Sequence, residues 1–163
     1  MSMNDVSSAI GSNCPCGSGR SYEACCRIVH ADHGRALLPE ELLRARYTAY
    51  VLGKDDFLLR SWDYATRPAA IDLSAPIRWL QLLIAEAQPV NGQSRSAEIR
   101  YTALFIEQKR LVELTERATF VRRAGLWYYA DGTANAQTFK LAAQTPCPCG
   151  SGRKFKRCCQ SRS

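Results

Sequence analysis

The feature that most constrains this chain is a cysteine-rich segment that occurs twice, once near each end. Residues 14–27 read CPCGSGRSYEACCR, and residues 147–160 read CPCGSGRKFKRCCQ. Nine of the fourteen positions are identical, and the four cysteines keep a constant offset of 133 residues. All eight cysteines of the 163-residue chain lie in these two copies. The sequence therefore predicts two small related units with a cysteine-free domain between them.

The cysteine spacing in each copy is suited to a tetrahedral metal ion. Zn²⁺ favours four ligands and binds thiolates well. A Cys-x-Cys pair supplies two ligands from one bend, and the Gly-Ser-Gly sequence lets the chain turn tightly. An adjacent Cys-Cys pair then returns to supply the other two. We predict two Zn²⁺ ions per chain, one in each set of cysteines: Cys14, Cys16, Cys25 and Cys26, and Cys147, Cys149, Cys158 and Cys159.

Disulfides or free buried thiols are the alternative explanation for these cysteines. A bond between the adjacent cysteines would close a strained small ring. The N-terminal residues lack the basic start and apolar run of a secretory signal, so we expect a cytoplasmic protein, in which thiols stay reduced. No apolar run approaches the roughly 18–20 residues of a membrane span. These points favour metal binding, while redox or zinc sensing by the thiols stays open as a third function.

Histidine is a second candidate ligand type in the N-terminal copy. His30 could replace Cys26, but the position equivalent to His30 in the second copy is Ser163. The repeat therefore favours four cysteines in each site. We expect His30 and His33 to be solvent-exposed residues of a linker.

The basic charge of the chain is concentrated beside the second cysteine set. Residues 131–163 carry +5 of the formal net charge of +7. Two tetrathiolate Zn²⁺ sites would lower the total to +3, so bulk affinity for nucleic acid is weak and sequence-specific DNA binding is not expected. Either the local bases dock onto an acidic partner, or they only offset the charge of the metal site and stay solvated. The candidate partner-binding residues are Arg153, Lys154, Lys156 and Arg157.

The segment between the two copies shows helical patterns first and strand patterns afterwards. Residues 39–52 have helical spacing between Pro39 and Gly53, and residues 54–62 predict a second short helix. Alternating apolar residues then predict strands, which gives an α+β domain with an antiparallel sheet. The predicted strands are residues 79–87, 97–106, 111–122 and 126–130.

One acidic residue interrupts the apolar face of the third predicted strand. Glu116 shares that face with Leu114 and Phe120. A carboxylate facing an apolar cavity could act as an acid or a base. We favour an ion pair instead, with Arg44, Arg46 or Arg100 as the partner. No set of residues forms a recognisable catalytic constellation, so we predict no catalytic residues.

The cysteine segments resemble the SEC-C motif, a small zinc-binding element also found at the C-terminus of the protein-translocation ATPase SecA. Both copies match its pattern of Cys-x-Cys, Ser-Gly and Cys-Cys. The resemblance implies that all eight cysteines are metal ligands. In SecA-type proteins the motif contacts a chaperone and the ribosome, so the resemblance also suggests a docking role.

The segments LLRARYTAYVLGKDDFLLRSW and ERATFVRRAGLWYYADGT, flanked by the two cysteine motifs, resemble the YchJ-like family of bacterial SEC-C proteins. That resemblance implies an NTF2-like central domain, in which a bent antiparallel sheet closes on helices like a cone. Relatives often have His where this chain has Asp63. The expected organisation is a disordered N-terminus (1–13), an N-terminal zinc motif (14–30), the NTF2-like domain (31–135), a linker (136–146) and a C-terminal zinc motif (147–163).

These features together predict a zinc-binding interaction or adaptor protein. Its C-terminal motif would dock on an acidic protein surface or on ribosomal RNA. The alternative is a small-ligand-binding protein or an enzyme that uses a pocket in the NTF2-like cone. That alternative requires a cavity with several converging polar groups, and a filled cone would argue against it.

Overall fold

A computed structural model describes residues 13–162 of the chain. Three helices come first: α1 (Cys26–Ala31), α2 (Pro39–Leu52) and α3 (Asp55–Arg60). Four strands follow and form one antiparallel sheet in the order β1-β2-β3-β4. The strands are β1 (Arg78–Ala87), β2 (Ser96–Glu107), β3 (Arg110–Arg123) and β4 (Leu126–Lys140). Of the predicted disordered stretch 1–13, only Asn13 lies within the described residues.

Helix α2 begins and ends where its sequence predicts. Pro39 occupies the first turn, where a missing backbone N–H costs nothing. The Glu41 carboxylate accepts hydrogen bonds from the backbone N–H groups of Leu37 and Leu38, which precede the helix. Gly53 ends the helix with φ of 71°, a left-handed conformation that glycine adopts without strain.

The central strands follow the predicted alternation and pair face to face. On the inward face of β2 and β3, each apolar residue lies opposite another. The cross-strand pairs are Ala97 with Phe120, Ile99 with Ala118, Ala103 with Leu114 and Phe105 with Val112. In the middle of this face, Tyr101 lies directly opposite Glu116. The apolar alternation that predicted the two strands is therefore the pattern of their inward face.

Two-residue turns join the last three strands. Gln108 and Lys109 have φ values of 48° and 62°, and Ala124 and Gly125 have values of 50° and 80°. Positive φ at both central residues is typical of the hairpin turn whose twist matches that of the flanking strands.

Strand β4 is much longer than the predicted strand at 126–130. It continues to Lys140 and so enters the segment 136–146 that the sequence predicts to be a linker. Residues 131–140 are almost all exposed, so no apolar alternation marks them as a strand. They are held by backbone pairing with β3, which the local sequence does not reveal.

The main core lies between the helices and the inward face of the sheet. Leu42, Ala45 and Phe57 from the helices pack with Ile99 and Phe120 from the sheet. Register shifts in β1 and between β3 and β4 mark bulges, which bend strands and increase their twist. The predicted α+β architecture, with a cysteine cluster at each end, is confirmed. Among the described residues, no helix has the length and apolar character to cross a membrane.

Candidate functional site

The N-terminal cysteine cluster is built on a compact backbone loop, here called the N-terminal knuckle (residues 14–30). The Cys14 N–H bonds the Arg20 carbonyl, and the Gly17 N–H bonds the Cys14 carbonyl. Gly17 and Gly19 have φ of 81° and 82°, so side chains at these turns would be strained. A short 3-10 turn at Tyr22–Ala24 then delivers the last two cysteines to the first two.

The C-terminal knuckle (residues 147–163) repeats this construction. The Cys147 N–H bonds the Arg153 carbonyl, and Gly150 and Gly152 have φ of 80° and 77°. A 3-10 turn at Phe155–Arg157 again precedes the adjacent cysteines. The sequence repeat is thus a repeat of backbone geometry.

Each knuckle brings four sulfur atoms together as the spacing predicts. Within each set, all four Sγ atoms lie within 4.8 Å of one another. Individual separations are 3.6 Å for Cys16 and Cys25 and 3.4 Å for Cys149 and Cys158. A tetrahedron with metal–sulfur bonds of about 2.3 Å has sulfur–sulfur edges of about 3.8 Å. No disulfide is formed, so each cluster is compatible with one metal ion.

The proximity of the sulfurs has an electrostatic consequence. The hydrogen bond with Cys14 lowers the pKa of Cys16, whereas the bond with Cys14 raises the pKa of Cys26. Four neighbouring thiols cannot all be deprotonated without a compensating cation. A bound divalent ion supplies that charge and keeps all four as thiolates, which is the reason the donor set fits a metal.

Hydroxyl groups beside the sulfurs form a feature that the sequence analysis missed. Ser18 Oγ and Ser151 Oγ each lie 3.1 Å from the sulfur of the third cysteine, Cys25 or Cys158. Such bonds orient metal ligands and stabilise thiolate charge. The sequence did offer a signal for this contact, because both copies have a serine at the same position. Thr48 on α2 donates to Cys26 Sγ at 3.3 Å, and no local pattern predicts that contact.

The two histidines are not exposed linker residues, so that prediction is wrong. His30 is buried, and its Nε2 donates to the Ala45 carbonyl at 2.7 Å while Nδ1 accepts from the Tyr22 hydroxyl. His33 Nε2 donates to the Trp127 carbonyl at 2.6 Å. Burial lowers the pKa of both imidazoles. Both side chains therefore join the N-terminal segment to the central domain and lie outside the sulfur cluster.

The knuckles differ in what they pack against. The cysteines of the N-terminal knuckle belong to the main core, and Arg44 of α2 donates to the Cys16 carbonyl at 2.7 Å. The C-terminal cysteines form a separate small cluster around the buried Phe155, with Ile106 and the partly buried Leu80 and Leu141. Seven of the eight thiols are buried and Cys149 is half-buried, which does not favour the exposed thiols of a redox sensor.

The predicted partner-binding bases surround the C-terminal cluster and all face solvent. Arg153, Lys154, Lys156 and Arg157 are exposed. Within residues 13–162, none of these four side chains forms an ion pair. At the N-terminal knuckle, by contrast, the Arg20 guanidinium folds back onto the Ala24 carbonyl and Cys25 Sγ.

A cavity of about 210 Å³ lies between α2 and the sheet. Glu116 lines it, but the predicted ion pair is wrong: Arg44 pairs with Glu40 and Arg100 with Glu86. The carboxylate instead accepts hydrogen bonds from the hydroxyls of Tyr101 at 3.0 Å and Tyr129 at 2.7 Å. Burial, together with this carboxylate, raises the pKa of both tyrosines, which therefore remain proton donors. Side chains therefore do not completely fill the space between the helices and the sheet.

Gly132 on β4 makes room for that carboxylate. A Cβ atom at this position would lie 2.0 Å from Glu116 Oε1 and 2.9 Å from its Cγ. Any larger residue would push Glu116 away from its two tyrosine partners. The cavity wall thus depends on a glycine that sequence reasoning did not single out.

Asp63, the residue at the position where relatives often have His, has a structural contact. Its carboxylate accepts two hydrogen bonds from the Arg123 guanidinium, at 2.6 and 3.0 Å. This contact lowers the pKa of Asp63. The backbone on either side of Trp62 pairs with Tyr129 of β4, so the ion pair fixes the end of α3 to the sheet.

The architecture is that of an NTF2-like domain carrying two SEC-C knuckles, and comparison with known protein families agrees. Residues 38–132 match the family model described as the YchJ middle NTF2-like domain. Residues 12–27 and 145–161 match the SEC-C motif. The chain belongs to the YchJ-like family, whose curated relatives carry the label UPF0225.

Curated relatives are similar along nearly their whole length. A UPF0225 protein of Vibrio vulnificus strain CMCP6 is 34% identical over 167 residues, covering 92% of this chain and 99% of the relative. A UPF0225 protein of Vibrio parahaemolyticus matches with the same identity and coverage.

Solved structures with this fold also carry the SEC-C name. The solution structure of a SEC-C motif containing protein from Rhodopseudomonas palustris has a TM-score of 0.67 and 27% identity, covering 76% of this chain and 99% of that one. A crystal structure of a SEC-C motif containing protein from Psychrobacter arcticus has a TM-score of 0.63 and 27% identity, covering 95% and 99%. The expected family and fold are confirmed.

Proposed function

We propose that this protein is a zinc-binding interaction protein that docks onto an acidic surface through its C-terminal knuckle. The observation that carries the proposal is the set of four exposed bases around the second sulfur cluster. They have no acidic partner among residues 13–162, whereas the corresponding positions of the first knuckle are Arg20, Ser21, Glu23 and Ala24, which carry one base and one acid. Unpaired surface bases are available to a partner at no cost in internal contacts.

Zinc is the proposed metal at both sites, bound by Cys14, Cys16, Cys25 and Cys26 and by Cys147, Cys149, Cys158 and Cys159. Four thiols in a near-tetrahedral cluster suit Zn²⁺ or iron, and closed four-cysteine sites of this small size are typical of structural zinc. Both knuckles have too little apolar surface to fold alone, so the metal supplies the missing stability. Elemental analysis of the purified protein would yield two zinc atoms per chain.

The two knuckles have different proposed roles. The first stabilises the central domain, since its cysteines pack in the main core and contact Thr48. The second has its bases on the surface of a small separate cluster that packs against the sheet. A tetrathiolate site carries −2, which the neighbouring bases outweigh, so that the surface stays attractive to an acidic protein face or to ribosomal RNA.

The test is reversal of Arg153, Lys154, Lys156 and Arg157 to Glu. We expect binding to purified ribosomes, measured by co-sedimentation, or to an immobilised polyglutamate surface to be lost. If RNA is the partner, the wild-type affinity falls steeply with salt. Loss of four phosphate contacts then reduces the slope of log affinity against log salt concentration by about 3.

The matched control reverses four exposed bases that lie away from the C-terminal cluster: Arg35, Arg95, Arg100 and Arg117. This variant has the same net charge, so it separates a local surface from bulk attraction. Both variants must retain two metal ions and the wild-type circular dichroism. Equal binding by the two variants, or no binding by the wild-type protein to either probe, would refute the docking role.

A further inference from the structure

The cavity between α2 and the sheet carries polar groups that the fold itself does not satisfy. We infer that it is a binding site for a small uncharged ligand with one aromatic ring and an amide-type edge, in which a carbonyl acceptor stands beside an N–H donor. The inference is independent of docking by the C-terminal knuckle. It rests on the size of the cavity, on its unpartnered donors and on its balance of charge.

The volume sets the size of the ligand. An apolar cavity of about 150 Å³ holds benzene, and drug-sized ligands occupy about 300 Å³ or more. The cavity here has about 210 Å³, and most of its wall is aromatic, with Tyr47, Tyr50 and Trp79 among its residues. One ring with a small substituent fits that space, and the surrounding rings offer faces and edges against which it can pack.

The guanidinium of Arg46 in the cavity wall has hydrogen-bonding capacity that the protein does not use. Arg46 is 4% exposed, and its Nη1 donates to the Leu58 carbonyl and to Ser61 Oγ. Its Nε and Nη2 groups donate no hydrogen bond to any residue between 13 and 162. The guanidinium also lies over the rings of Trp62 and Tyr129, which line the same cavity, with its carbon 5.1 and 4.6 Å from their centroids. An acceptor atom that reaches Nε or Nη2 therefore gains a hydrogen bond that the protein does not supply.

An acceptor is available on the same cavity wall. Glu116 uses both oxygens to accept from tyrosine hydroxyls, yet each carboxylate oxygen can accept a second bond. Arg46 and Glu116 both line the cavity but form no ion pair with each other. A ligand that places a carbonyl towards Arg46 and an N–H towards Glu116 bridges the two charges through hydrogen bonds to charged groups.

Charge selects a neutral ligand over an ion. One guanidinium and one carboxylate make the cavity electroneutral, so an anion would meet Glu116 and a cation would meet Arg46. Either ion would also lose its hydration in a largely aromatic enclosure, which is costly without a full counter-ion. An uncharged amide edge avoids both penalties.

The test uses the full-length metal-loaded protein and three probes of similar size: benzamide, which is neutral, benzoate, an anion, and benzylammonium, a cation. The readout is the Nε1–H signal of Trp62 in two-dimensional ¹H–¹⁵N NMR spectra. Trp62→Phe identifies that signal among the three tryptophans of the chain. We expect a saturable shift with benzamide and a dissociation constant at least about ten-fold lower than for either ion.

A pair of matched variants tests the acceptor. Glu116→Gln keeps the side-chain size but removes the charge, and we expect benzamide to bind about ten-fold more weakly. The control is Glu113→Gln, on the same strand but the opposite face, which should leave the affinity unchanged. Should Glu116→Gln fail to fold, the comparison of the three probes on the wild-type protein still decides.

Three results would overturn the inference. The first is a Trp62 signal that does not shift with benzamide at about 10 mM. So small a ligand is expected to have a dissociation constant in the low millimolar range, below that concentration. The second is binding of benzoate or benzylammonium as tight as that of benzamide. The third is a folded Glu116→Gln variant with wild-type affinity.

Discussion

The two knuckles of this protein have the same local structure and different surroundings. The third cysteine has φ and ψ of −129° and −112° in the first and −130° and −109° in the second. In both, a serine hydroxyl lies 3.1 Å from that cysteine's sulfur. The first knuckle contacts α2 through Thr48 and Arg44, whereas the second packs with Ile106 of β2. A local motif therefore fixes the sulfur cluster, while its tertiary contacts decide its role.

The difference is visible in what each knuckle packs against. Cys26 opens helix α1, which leads through His33 into α2 and thus draws the first knuckle into the core. In the described part of the chain, the 3-10 turn Cys159–Ser161 follows Cys158, and the second knuckle packs on the sheet through a small cluster that includes Ile106. Loss of the two metals should therefore have unequal consequences.

The largest expected effect comes from removing one cysteine of each cluster. Chelation removes both metals and is expected to unfold both knuckles. Unfolding of the first knuckle should also weaken the central domain, because the side chains of that knuckle belong to the main core. We expect Cys26→Ala to lower the free energy of unfolding by about 2–5 kcal/mol and Cys159→Ala by less than about 1 kcal/mol. Urea denaturation followed by tryptophan fluorescence measures this, since all three tryptophans lie in the central domain. Equal losses would mean that the two knuckles do not differ in this way.

A second comparison concerns the hydroxyls at the sulfurs. Thr48→Val removes the donor to Cys26 with little change in shape, and we expect about 10–100-fold weaker metal binding at the first site alone. Ser18→Ala and Ser151→Ala should weaken their own sites by similar factors. Competition with a metal-binding dye reports each affinity. A weaker second site in Thr48→Val would show that the clusters are coupled.

A smaller effect is expected at the arginine that joins the first knuckle to α2. Arg44→Met keeps most of the apolar stem but loses the bond to the Cys16 carbonyl, which should cost about 1–2 kcal/mol. Lys156→Met, in the exposed set on the second knuckle, should change stability by less than about 0.5 kcal/mol. Thermal unfolding of both variants beside the wild-type protein makes the comparison. Equal melting temperatures for the two variants would contradict it.

The smallest effect is a pH dependence that arises from the imidazoles of His30 and His33. Burial lowers the pKa of His30, so the unfolded chain binds a proton more readily than the folded one. The stabilisation is complete above the ordinary imidazole pKa of about 6.5 and declines as the pH falls below it. His30→Gln should reduce the slope of stability against pH between about 6.5 and 5, with the rest arising from His33. An unchanged slope in this variant would exclude His30 as its source.

Much of the fold was predictable because its signals are local. The proline and glycine that bound α2, the alternation in β2 and β3 and the cysteine repeat all act over a few residues. The exposed half of β4 carried no such signal, because backbone pairing alone holds it. The burial of His30 escaped prediction for a related reason, since its acceptor on Ala45 lies 15 residues away.

The position of Glu116 shows where the sequence stopped being informative. Strand alternation correctly placed this carboxylate on the inward face, but its predicted partners were wrong. Tyr101 is directly opposite on β2, and Tyr129 reaches the carboxylate from β4, beyond the hairpin turn. Competition between arginines and tyrosines for one carboxylate depends on distances that only the packed sheet defines.

By itself the sequence determined the two sulfur clusters, because each set of four cysteines and its tight glycine turns lie within fourteen residues. It also determined the order of helices and strands, because apolar residues are spaced differently along a helix and along a strand. The tertiary structure alone decided which knuckle joins the main core and which forms a separate small cluster, and it left a cavity whose wall carries one guanidinium and one carboxylate. Those outcomes depend on contacts between residues far apart in the chain, whose free energies arise only when the whole domain packs.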